Sequence, residues 1–147
     1  MNKALFRLTG MLALAFLAAT QIARAQEPML VNIPFEFTAG QMTLPAGEYR
    51  VQKAIQGSSV LLIQRADRSA QALAPSFAAE TNERQAKSKL VFHRYGDRYF
   101  LSQVWIAGSS RGRELPKSAK EKEQALAGRN QTPDQVTIIA RLTPSKP

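Results

Sequence analysis

His93 is the only histidine in this 147-residue chain, and cysteine is absent. Any acid–base chemistry near neutral pH must therefore begin with His93. Asp97 and Ser102 follow it closely, and a serine–histidine–carboxylate relay would use those three residue types for nucleophilic attack. The spacing argues against that use. Asp97 lies about 13 Å beyond His93 if the intervening chain is extended. No G-x-S-x-G elbow presents a serine. His93 is better read as a partly exposed strand residue packed on Phe100. Thiolate metal sites are excluded, the acids are scattered, and none forms the D-x-[DN]-x-[DN]-G calcium loop. A glycosidase carboxylate pair would meet only in space. Glu36 and Glu48 fall on neighbouring predicted strands, where they read as solvent-facing. There is no glycine-rich phosphate loop. No catalytic residue, metal or cofactor is expected, and the chain is not expected to be an enzyme.

The remaining chemistry is that of a surface. His93, Arg94 and Tyr95 are followed by Arg98, Tyr99 and Phe100. Aromatics interleaved with arginines can stack on planar or sugar rings, although cross-strand packing with snorkelling arginines also produces this pattern. Arg94, Tyr95, Arg98, Tyr99 and Trp105, with Arg111, Arg113 and Lys117, form the candidate binding surface. The net charge of +9 is uneven. Residues 26–83 carry a net −2, whereas residues 84–129 hold eleven basic and four acidic side chains. A basic stretch of this kind favours anionic partners or simply solvates one face.

These residues sit on strands. Leu30–Thr38 alternates Val31, Ile33, Phe35 and Phe37 with more polar positions, which predicts one strand with a buried face. Pro34 predicts that it lies at an edge or carries a bulge. Leu44-Pro45-Ala46-Gly47 is a turn. Strands are expected over Gly47–Ile55, Ser59–Arg65 and, more weakly, Ala70–Ala74. Ala78–Ser88 reads as a loop. Gly96-Asp97 between Lys89–Tyr95 and Arg98–Ile106 predicts a two-residue type II′ hairpin. Its register would pair Tyr95 with Arg98, His93 with Phe100 and Val91 with Ser102. Both faces of this hairpin are apolar, so both should be covered. Ala107–Gly112 reads as a glycine–serine loop. Ser118 and Glu121 fit a capping box, in which the serine oxygen and the glutamate side chain each satisfy a backbone N–H. The helix should run to Ala127 and end at Gly128, lying on the sheet through a thin stripe of Leu115, Ala119 and Leu126. Gln135–Leu142 is the last strand. The expected fold is a single all-β, mainly antiparallel domain: a sandwich or partly closed barrel of about seven strands with one short late helix.

Lys3 and Arg7, the uncharged run Leu8–Thr20 and Ala23-Arg24-Ala25 have the layout of a cleaved signal peptide over residues 1–25. Residues 26–142 would then be the exported β domain and 143–147 a frayed tail. Cleavage lowers the net charge to +6, and no later segment can span a bilayer as a helix. Lack of cysteine suits a bacterial periplasmic or extracellular protein. Export disfavours nucleic acid as partner.

VNIPFEF (Val31–Phe37), LPAGEYRV (Leu44–Val51), LVFHRYGDRYFLSQVW (Leu90–Trp105) and GRELPKS (Gly112–Ser118) resemble a group of small exported bacterial proteins known mainly as hypothetical proteins. The resemblance implies a shared fold and export, but no activity. The expected function is non-catalytic binding of an anionic envelope component or a protein. The alternatives are a small barrel carrying an apolar molecule and a hydrolase with an unrecognised site.

Overall fold

Alternating apolar residues give strands with one buried face, and two such faces bury one another. The computed structural model describes residues 28–129 and 132–142. It shows mainly antiparallel sheets arranged as a β sandwich with one helix. The first sheet contains β1 (Met29–Ile33), β4 (Gly47–Lys53), β5 (Val60–Arg65), β6 (Gln71–Pro75) and β12 (Arg141–Leu142), in the order β12-β1-β4-β5-β6. The second contains β7 (Phe77–Glu80), β8 (Lys89–Tyr95), β9 (Arg98–Trp105), β10 (Arg111–Glu114) and β11 (Asp134–Ile139), in the order β11-β8-β9-β10-β7. A small hairpin of β2 (Phe37–Ala39) and β3 (Met42–Leu44) joins this sheet through a short parallel pairing of β2 with β9. The helix α1 is Ala119–Ala127.

Between the sheets, Phe37, Tyr49, Phe92, Ile33, Leu44, Ile63 and Leu90 are fully buried. Phe37 meets both Tyr49 and Phe92 edge-on, an arrangement favoured by the ring quadrupoles. The Tyr49 hydroxyl donates to Pro45 O at 2.5 Å, which ties the predicted turn to the core. Burial pushes that phenol's pKa up, only partly offset by the Arg65 charge.

The strands are shorter and more numerous than predicted, because chain segments change sheet. Pro34 does not make an edge or a bulge. It lies in the break between β1 in the first sheet and β2 in the second. A residue with no N–H suits the point where a strand leaves its ladder. The expected loop over 78–88 begins with β7, paired to β10 from Phe77↔Glu114 to Glu80↔Arg111. Ser76 separates β6 from β7, and Ala140 separates β11 from β12, so each run crosses between sheets. Backbone bonds hold both corners. Ser76 N–H donates to Ser59 O, and Ala140 N–H donates to Ser88 O. The ladders remain two sheets, so the fold is a sandwich and not a closed barrel.

Candidate functional site

The β8–β9 hairpin has the predicted turn. Gly96 has φ +63°, Asp97 is not among the positive-φ residues, and Tyr95 pairs with Arg98. Positive φ at the first central residue alone is the type II′ pattern. The register follows expectation through His93↔Phe100 and Phe92↔Leu101. It then slips: Val91 pairs with Gln103, not Ser102. Ser102 is the extra residue of a β-bulge, and a bulge re-aims a side chain.

The bulge directs Ser102 Oγ to His93 Nε2, at 3.1 Å. The other ring nitrogen, Nδ1, lies 2.7 Å from Glu121 Oε1, and the Tyr95 hydroxyl donates to the same oxygen at 3.2 Å. An ionised carboxylate can only accept, so Nδ1–H donates to Glu121; with the proton on Nδ1, a neutral ring accepts from the Ser102 hydroxyl through Nε2. Ser102 and Glu121 are each 4% exposed. Burial, the Glu121 charge and the hydrogen bond to it push the Tyr95 phenol up to about 12.

Two expectations change here. His93 does pair with Phe100, but its ring is hydrogen-bonded rather than merely packed. Half of the capping box forms: Ser118 Oγ accepts from Glu121 N–H at 3.2 Å. The Glu121 carboxylate instead turns down to the sheet. A serine, histidine and carboxylate are thus in relay order, with Glu121 in the position considered for Asp97. The acid belongs to α1 and reaches His93 at the ring nitrogen opposite Ser102. Moving α1 to admit a substrate would withdraw the acid from His93.

The predicted binding residues divide among several environments. Arg94 and Arg98 are exposed at the hairpin tip. Arg94 Nε donates to Gly96 O at 2.7 Å, and its guanidinium lies 5.9 Å from the Tyr99 ring centroid. Tyr99 stacks on Phe35, with centroids 3.7 Å apart and planes 14° from parallel. Tyr95 and Trp105 are buried. Tyr95 meets Phe100 edge-on, and Trp105 Nε1 donates to Gln103. Arg111 is exposed and 3.7 Å from Glu80. Arg113 is half-buried and donates to both Ser76 Oγ and Ser76 O, at 2.9 Å each, clamping the β6–β7 corner. Lys117 lines a surface cleft of about 320 Å³ with Gly40, Gln41, Pro75, Leu115 and Lys122. The structure therefore brings Arg94 to Tyr99, puts Arg98 across the same turn beside Tyr95 on the other face of the hairpin, and disperses the others.

Glu36 and Glu48 are both exposed. Among the described residues, no group of three or more histidine or acidic side chains could hold a metal. Also among them, no helix is long and apolar enough to cross a membrane. The signal-peptide layout over 1–25 and the frayed tail over 143–147 lie outside the described residues. Comparison with protein-family models, curated proteins and solved structures finds no match.

Proposed function

We propose that this protein is an exported, non-catalytic binding module that contacts anionic envelope components through the tip of the β8–β9 hairpin. The observation that carries the reading is the pair of exposed arginines, Arg94 and Arg98, that flank a tight turn, with Arg94 beside the Tyr99 ring that stacks on Phe35. Among the described residues neither arginine forms an ion pair. Asp97 between them leaves the tip net positive. The short turn fixes the backbone that carries both charges, so binding has only the side chains left to order. A protein partner with an acidic surface would use the same groups. The carrier alternative has less support, because large side chains fill the space between the sheets.

Sedimentation with vesicles containing phosphatidylglycerol tests the proposal against vesicles of phosphatidylcholine alone. Each basic residue at an anionic surface contributes about 1 kcal/mol. The double variant Arg94→Gln/Arg98→Gln should therefore bind about 30-fold more weakly, and added salt should weaken the native protein. Undiminished vesicle binding by the variant would sink the membrane reading; capture by an acidic protein instead would redirect it. A fluorophosphonate probe should leave Ser102 unlabelled. Stoichiometric labelling there would refute the non-catalytic part.

A further inference from the structure

The helix α1 is unusual in what holds it down. Its sequence, AKEKEQALA, has no apolar stripe, and Glu121 is its only buried residue. Leu126, expected in the contact stripe, is 70% exposed, and Ala119 is exposed too. Leu115 is buried, but it belongs to the segment before the helix, where its N–H donates to Ser102 O at 2.8 Å. A nine-residue helix is too short to persist alone in water. Apart from the half-buried Gln124 and Ala125, what holds it is the pair of bonds from His93 and Tyr95 to one carboxylate oxygen, together with the Ser118 cap. A lone contact from Lys120 Nζ to Thr43 Oγ1, at 3.5 Å, adds little at the surface.

We infer that α1 is a latched cover, released by local opening when Glu121 leaves His93 and Tyr95 while both sheets stay folded. The fixed points on either side of α1 are defined. Leu115 is bonded to β9 on one side, and the β11 ladder resumes at Asp134 on the other. Gly128 and Arg129, the latter at φ +56°, close the helix within that span. The face beneath has its own strong supports: β8 is paired on both sides by β9 and β11. Opening frees His93 and Tyr95, on the hairpin face that they share with Phe100 and the exposed Arg98, an aromatic surface with a basic edge. This inference concerns α1 itself and does not depend on the arginine tip being a binding surface.

Native-state hydrogen exchange on the full mature protein, in urea below the unfolding transition, tests it. Amides of 121–127 should exchange through an opening whose urea dependence is well below that of global unfolding, before those of β8 and β9. Glu121→Ala should accelerate α1 exchange about 10- to 100-fold, as expected for losing hydrogen bonds to a charged group. The β8 and β9 amides, which exchange through global unfolding, should speed up by the same factor, because the lost bonds belong only to the closed native state. Glu121→Gln, which keeps an acceptor oxygen, should fall between the two. If α1 amides in the native protein exchange only with global unfolding, the latch is refuted, whatever the variants do. An alanine variant with native α1 exchange would refute it equally.

Discussion

Gly112 offers the sharpest test of the packing around the hairpin. It pairs with Trp105 across β9 and β10, where the indole lies against the glycine backbone. A Cβ at this position would sit 2.5 Å from Trp105 Cε3, 2.6 Å from Val104 O and 2.8 Å from Trp105 Cδ2. Ordinary contact begins about 1 Å farther out, since carbon atoms pack at roughly 3.5–4.0 Å. Neither neighbour yields readily. Val104 O is backbone in the ladder, and Trp105 is 5% exposed with its Nε1 bonded to Gln103. Gly112→Ala should therefore act as overpacking and cost about 1–3 kcal/mol. With a urea slope of about 2 kcal/mol/M, a mid-range loss lowers the midpoint by about 1 M. Trp105 is the only tryptophan, so intrinsic fluorescence reports on the perturbed residue directly. A variant whose midpoint and native emission matched the parent would show that the close approach is wrongly assigned. Gly57→Ala supplies a contrast. Gly57 has open space around it and φ +82°, so its cost should be conformational and leave the Trp105 emission unchanged.

Replacing Arg113 by lysine keeps the charge but loses the planar fork that reaches both oxygens of Ser76. Urea titration should show a loss of about 1–2 kcal/mol, and full stability in the lysine variant would contradict the clamp. The Tyr95 phenol has a folded pKa near 12 against an ordinary value of 10. The folded state favours its protonated form, so this contribution is complete below pH 10 and fades as pH rises from about 10 to about 12. Melting curves of native protein and Tyr95→Phe should converge across that interval, because only the native residue loses a proton there. Parallel curves would remove Tyr95 from the alkaline response.

Much of the hairpin was legible in local sequence. Gly96-Asp97 dictates the turn, and alternation then dictates the register until the chemistry of alternation ends. The slip at Ser102 leaves no mark in the sequence, because a bulge satisfies the ladder with one residue to spare. Likewise, Ser118 and Gly128 delimit the helix, since caps act on their own neighbours. The capping-box spacing also hid Glu121: a glutamate three residues after a serine has a sufficient local explanation. β7 was missed because Phe77-Ala78-Ala79-Glu80 has little alternation. Its strand conformation comes from pairing with β10 rather than from propensity.

The sequence by itself therefore determined what depends on near neighbours: strand-forming alternation, the turns, the helix ends, the absence of thiol chemistry and the concentration of positive charge. The tertiary structure decided what depends on distant segments. It divided Leu30–Thr38 between two sheets at Pro34, buried Tyr95 and Trp105, and spent Arg113 on a corner. It also placed Glu121 beside His93, 28 residues away in the chain. Local rules state which conformations a residue accepts, whereas the partner of a buried polar group is chosen by the fold. A carboxylate removed from water must find donors wherever packing brings them, and here packing brought the imidazole and the phenol.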